Sequence, residues 1–316
     1  IMRMLVTGGS GFIGSHLVER LLNEGHEVIV VDNFSTGQKA FLNDVISSKQ
    51  CQLISGDLLD EDFLNTVMRK VEFVWHLAAN ADVRYGTKYP RRDLEQNTIA
   101  TFNVLESMRK NGVRNIAFSS TGSVYGDAPV IPTPEDCPFP EQTSLYGASK
   151  LACEGLVSAY CEGFDMHGWI FRFVSILGER YTHGHVVDFF GQLQNHPGQL
   201  NILGDGEQRK SYLYVHDCID AMLVAIKVKQ KRVEILNLGT DEYINVNDSV
   251  GIITSTLGFN PARTYSGGDR GWVGDSPFIF LDCTRIRSLG WSPRHSIREG
   301  IIKTVTWLQN NPWVCQ

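Results

Sequence analysis

Three glycines spaced three apart, Gly8, Gly11 and Gly14, stand between the short apolar run Met4-Leu5-Val6 and a helical pattern over residues 15–24. Few folds put a strand, a turn of this kind and a helix in that order. One glycine sharpens the turn, one lets backbone N–H groups close on a pyrophosphate, and one lets helix and strand pack tightly. A second apolar run, Val28-Ile29-Val30-Val31, ends in Asp32. That is roughly 20 residues past the glycines, where an acidic side chain reaches a ribose 2′-OH. The chain therefore opens on a dinucleotide-binding pattern.

The pattern continues. Further strands are predicted at 51–55, 73–77, 115–119 and 168–173. Helices are predicted at 38–47, 61–69, 92–111 (stopped by Gly112) and 146–162. Repeated βα units of this size give an α/β fold, a Rossmann-type doubly wound parallel sheet with ligands at the carboxyl ends of its strands. After about Val174 the regularity gives way to loops containing Gly, His and Pro. Residues 1–174 are expected to form the dinucleotide domain, with segments around 211–240 returning to it. Residues 175–316 are expected to form a smaller, interleaved substrate-binding portion.

Composition excludes several other classes. A net charge of −6 over 316 residues, without a long basic run, leaves no footprint for nucleic acid. The seven cysteines are odd in number and never in C-x-x-C spacing, so reduced thiols and a cytoplasmic protein are expected. His183 and His185 lack a set of acidic partners, and no metal is expected. No apolar run approaches a membrane span, and with the first core strand starting within a few residues no leader is expected.

Tyr146 and Lys150 stand four apart at the start of a helical pattern, on one face. An ammonium beside a phenol favours the phenolate, so the Tyr146 pKa is expected to fall from about 10 toward neutrality. Such a tyrosine exchanges a proton with a sugar hydroxyl. The pair follows a strand that ends in the hydroxyl cluster Ser119-Ser120-Thr121-Gly122-Ser123.

With these pieces in view the chain resembles an extended short-chain dehydrogenase/reductase of the nucleotide-sugar epimerase/dehydratase group. The resemblance rests on Thr7-Gly8-Gly9-Ser10-Gly11-Phe12-Ile13-Gly14, Asp32, Gly56-Asp57-Leu58, His76-Leu77-Ala78-Ala79 and Asn97. It continues through Val124-Tyr125-Gly126, Tyr146-Gly147-Ala148-Ser149-Lys150, Gly204-Asp205-Gly206, Tyr214-Val215-His216-Asp217 and Leu289-Gly290-Trp291-Ser292-Pro293. It implies tightly bound NAD, with Gly8, Gly11, Phe12 and Ile13 at the pyrophosphate and Asp32 and Asn33 at the adenosine ribose. Asp57 and Leu58 flank the adenine, and Leu77, Ala78, Ala79 and Ser119 lie along the dinucleotide. Tyr146 is the implied acid/base, Lys150 its partner and a ligand of the nicotinamide ribose, and Thr121 a hydrogen-bond partner of the reacting hydroxyl. Ser123, Ser175, Arg209, Lys210 and Arg270 are the implied substrate contacts. Lys210 stands where the family usually has arginine, with Arg209 just before it. The family also implies a homodimer built on the helices at 92–111 and 146–162.

Departures from the family pattern narrow the reaction. The 4,6-dehydratases carry Asp-Glu at the places of Gly122 and Ser123, and the decarboxylases carry Glu at that of Ser123. Simple 4-epimerisation asks only for Thr121, Tyr146 and Lys150. A UDP-hexose is the family default, with other nucleotide sugars open because Ser175 replaces a family asparagine. A keto-sugar-nucleotide reductase is the alternative enzyme, and a non-catalytic scaffold the alternative from another class.

Overall fold

The computed structural model describes residues 1–138, 141–269, 271 and 278–315. In chain order the first half runs β1 (Arg3–Thr7), α1 (Phe12–Asn23), β2 (Glu27–Asp32), β3 (Cys51–Ser55), α2 (Glu61–Val67), β4 (Phe73–His76) and α3 (Val83–Lys88). It continues with α4 (Arg91–Asp93), α5 (Ala100–Asn111), β5 (Asn115–Thr121), α6 (Leu145–Gly163) and β6 (His167–Phe173). The remainder begins β7 (Ser175–Leu177), α7 (His185–Asn195), β8 (Gln199–Ile202), β9 (Arg209–Lys210), β10 (Tyr212–Tyr214), α8 (Val215–Ala225) and β11 (Val233–Leu238). It ends β12 (Ile244–Asn245), α9 (Val246–Leu257), β13 (Ala262–Tyr265), α10 (Thr284–Ser288) and α11 (Ile297–Asn310).

Seven strands form the central sheet in the order β11-β6-β5-β4-β1-β2-β3. The pairs β1–β2, β2–β3, β1–β4 and β4–β5 are all parallel. Every residue of β4 is buried, as a strand covered by helices on both faces requires. The strand order reverses between β1 and β4, and this is the switch point at which such sheets bind ligands. The doubly wound fold expected from the sequence is present.

Two local expectations fail. Residues 38–47 form only a 3-10 turn, Lys39–Leu42, whose buried side chains are the adjacent Phe41 and Leu42. Two neighbours do not make the stripe that holds a helix on a sheet. The helix expected over 92–111 is α4 joined to α5 through a π-helical stretch, Leu94–Ile99. Its end is as expected, with Gly112 left-handed at φ 70°.

The chain forms two compact units. The first comprises residues 1–124, 145–172 and 222–236, and the second comprises 125–144, 173–221 and 237–316. In the first, Leu5, Val74, Phe118, Val104, Val157 and Ile170 belong to one buried core. In the second, β7 pairs with β10 and β8 with β13 in parallel, and β9 pairs antiparallel with β12. Among the described residues no helix is long and apolar enough to cross a membrane.

Candidate active site

The turn after β1 is built to approach another backbone. Gly8 has φ +67°, and a Cβ there would lie 2.8 Å from the Ala78 backbone beyond β4. Ala78 N donates to Thr7 Oγ1 at 3.2 Å, and Gly11 N to the Gly8 carbonyl at 3.1 Å. The first turn of α1 carries no acidic residue, which leaves its N–H groups open to an anion. The Ser10 hydroxyl is fully buried and has no hydrogen-bond partner. An orphaned donor beside an anion-ready helix end fits a pyrophosphate.

Asp32, at the end of β2, accepts from Ser10 N at 3.0 Å and Phe34 N at 2.9 Å. Burial raises its pKa, and these two N–H groups oppose the rise. Each carboxylate oxygen keeps a free lone pair for a ribose hydroxyl. Asn33 Nδ2 donates to Asp57 Oδ2 at 3.1 Å, which joins the ends of β2 and β3, and Asn103 Nδ2 holds the Leu58 carbonyl at 3.0 Å. Phe12 and Ile13 open α1, while Leu77, Ala78 and Ala79 follow β4. These residues suit a dinucleotide, and NAD is the cofactor they would hold.

Tyr146 and Lys150 both lie on α6, as their spacing requires. Their relation differs from expectation. Lys150 Nζ donates to the Ser119 carbonyl at 2.8 Å, and the Tyr146 phenol is hydrogen-bonded to Thr121. The Tyr146 pKa is raised, chiefly by burial and also by Asp93 and Cys153, with the Thr121 bond pulling the other way. The expected fall toward neutrality is therefore not a property of the Tyr–Lys pair alone. Thr121 Oγ1 accepts from Ser123 N at 3.0 Å, which leaves its proton for Tyr146. Burial pulls Lys150 down to about 8, against Cys153, Glu154 and Asp93.

Sequence reasoning missed Asp93. It is 2% exposed and accepts from Asn80 Nδ2 at 2.8 Å and Asn97 Nδ2 at 3.3 Å, while Oδ2 has no partner. Asn97 Nδ2 also reaches Ser149 Oγ at 2.9 Å, and that hydroxyl bonds the Tyr146 carbonyl at 2.8 Å. Asp93 and Asn97 stand four apart, and that spacing was a signal available in the sequence.

The NAD dependent epimerase/dehydratase family model matches residues 4–239. The chain belongs to this family. It is 33% identical over 321 residues to the UDP-glucose 4-epimerase of Mycolicibacterium smegmatis, covering 98% of this chain and 99% of that one. The crystal structure of UDP-glucose 4-epimerase from Thermotoga maritima with UDP-glucose superposes with a TM-score of 0.89 at 33% identity, covering 98% and 100%. The Thermus thermophilus UDP-glucose 4-epimerase complex with NAD gives 0.86 at 32% identity, covering 98% and 99%.

In this family member the second unit separates the two neighbouring cations. The Arg209 guanidinium lies over the rings of Phe278, at 4.3 Å, and Tyr243, at 5.5 Å. The charge of Lys210, the next residue of β9, acts instead on His185. His185 bonds the Tyr212 hydroxyl at 2.7 Å and Ser249 Oγ at 2.6 Å, and burial with Lys210 pushes it down to about 3. Ser175 occupies the exposed first position of β7. Arg270 lies outside the described residues.

Lys150 gives a pH prediction in which stability and activity move in opposite directions. Unfolded, it holds its proton up to its ordinary 10.5; folded, only to about 8. Between these values the unfolded chain binds the extra proton, so this group makes the fold more stable as pH rises. Activity is expected to fall over the same window, where the ammonium is lost. Compared with Lys150→Met, the wild type should show the steeper rise in unfolding temperature from pH 8 to 10. Equal slopes would refute the assignment.

Proposed function

We propose that the chain is an NAD-dependent 4-epimerase of a nucleotide-diphosphate sugar, with a UDP-hexose as substrate. The observation that carries the reading is the set Thr121–Tyr146–Lys150, followed by a turn, Gly122–Tyr125, that holds no carboxylate. In the family, removal of water goes with carboxylates at the places of Gly122 and Ser123 and removal of CO₂ with one at that of Ser123, and epimerisation asks for neither. Bound NAD supplies the hydride acceptor and donor, and a positive ring that favours the phenolate. Tyr146 takes the proton of the sugar 4-OH and later returns one to the 4-keto group. Thr121 orients that oxygen and Lys150 holds positive charge beside it.

Residues of the first unit are assigned to the dinucleotide: Gly8, Gly11, Phe12, Ile13, Asp32, Asn33, Asp57, Leu58, Leu77, Ala78, Ala79 and Ser119. In the second unit Lys210 is assigned to the diphosphate, because the Arg209 guanidinium is already held on two rings. Ser123, Ser175 and Arg270 complete the proposed substrate set.

Assembly as a homodimer is part of the proposal. Phe102 on α5 and Leu145 and Phe164 on and beside α6 are 42%, 45% and 47% exposed. A monomer by sedimentation at micromolar concentration would remove that element. Cytoplasmic location is likewise proposed, from seven cysteines that are all free thiols.

The test is a panel of UDP-, GDP-, CDP- and dTDP-sugars incubated without added cofactor and followed by NMR. A C4-inverted product with no net NADH is the expected result. Turnover only with added NAD(P)H and a keto-sugar nucleotide would replace the epimerase by a reductase.

A further inference from the structure

Three consecutive residues at the end of β5 each bond a residue of α6. The Ser119 carbonyl accepts from Lys150 Nζ, Ser120 Oγ donates to Glu154 Oε1, and Thr121 is bonded to the Tyr146 phenol. Tyr146, Lys150 and Glu154 succeed one another at intervals of four, so they line one face of the helix. The middle contact is the best anchored. Arg172 of β6 clamps Glu154 with Nε to Oε1 at 3.0 Å and Nη2 to Oε2 at 2.7 Å. Ser120, Glu154 and Arg172 are 3%, 4% and 1% exposed.

We propose that Ser120, Glu154 and Arg172 are positioning residues that fix the end of β5 against α6 and so set the Thr121–Tyr146 and Ser119–Lys150 contacts together. The inference rests on the catalytic reading of Tyr146 and Lys150. A buried ion pair is a weak source of stability, because desolvation offsets most of the attraction, and apolar replacement of both partners is often neutral. What this pair provides is register. Ser120 lies between the two residues that touch the catalytic side chains, so a shift there moves both contacts. A misplacement of about 1 Å is enough to cost on the order of 10²-fold in rate.

The test is a cycle of three variants: Ser120→Ala, Glu154→Leu/Arg172→Met, and their combination. Ser120→Ala leaves every charge in place. It should lower kcat roughly 10-fold or more, with KM within about twofold. The apolar pair should keep an unfolding temperature near that of wild type and lower kcat similarly. Ser120→Ala should then cost nothing further in that background, because both changes cut one connection. A second readout needs no substrate. In the NAD-loaded protein, tyrosinate absorbance corrected with Tyr146→Phe should show Tyr146 titrating at higher pH in Ser120→Ala, as the Thr121 bond loosens.

Wild-type kcat in both variants, additive losses, or an unmoved Tyr146 titration would each overturn the proposal. If the apolar pair fails to fold, Ser120→Ala decides through its kcat and its titration. A wild type that inverts no sugar would sink the epimerase reading, and the titration would still judge the positioning role.

Discussion

Tyr146→Phe is expected to lower kcat by about 10²- to 10⁴-fold, the range that a positioned acid/base group contributes, while the fold and the bound cofactor are retained. The substitution removes one oxygen. The ring keeps its packing on α6, and Thr121 keeps its bond from Ser123 N at 3.0 Å. Lys150 keeps its bond to the Ser119 carbonyl, so its ammonium is not released from the site. KM should change little, since the lost interaction is a proton transfer and not sugar binding. Circular dichroism and cofactor content should match wild type. Turnover within tenfold of wild type would mean that another group moves the proton. Asp93 is then the group to examine, because its carboxylate influences Tyr146 directly and one of its oxygens has no partner.

What could be read from the sequence was local. Gly8, Gly11 and Gly14 with Asp32 announced a strand–turn–helix and an acid at the next strand end, and both are short-range facts. The 146–150 spacing placed two side chains on one helix face for the same reason. The direction of the Tyr146 shift was not legible, since it depends on burial and on where Lys150 points. The ammonium goes to a carbonyl of β5, at a sequence distance of 31 residues. The spacing of Asp93 and Asn97 was legible, but not the π-helical stretch between α4 and α5 nor the influence of Asp93 on Tyr146 and Lys150. The proposal of Lys210 over Arg209 for the diphosphate draws on Tyr243 and Phe278, aromatic residues far along the chain that lie against the Arg209 guanidinium. Glu154 and Arg172 read in isolation as an acidic helix position and a charge inside an apolar strand. Only β5, α6 and β6 together show them to be one device.

Gly8→Ala should be nearly as damaging as Tyr146→Phe, through a different route. At φ +67° an alanine pays roughly 1–2 kcal/mol for the left-handed conformation. Its methyl would also stand 2.8 Å from the N and Cα of Ala78, and backbone atoms cannot rotate away as a side-chain tip does. Overpacking of this kind costs about 1–3 kcal/mol, giving a total of about 2–5 kcal/mol and an unfolding temperature lower by on the order of 5–15 °C. The relief available is for the β1 turn to move off the end of β4. That movement opens the switch point where the glycines are assigned to the pyrophosphate, so the purified variant should carry little NAD. Added NAD in excess should restore part of both activity and thermal stability, as mass action on a weakened site requires. Gly25→Ala is the control: it also has positive φ, at +85°, but a Cβ there meets nothing within 4 Å. It should share the conformational cost and keep its cofactor. Equal NAD content in both variants would show that the close approach of Gly8 to Ala78 is not what shapes the cofactor site.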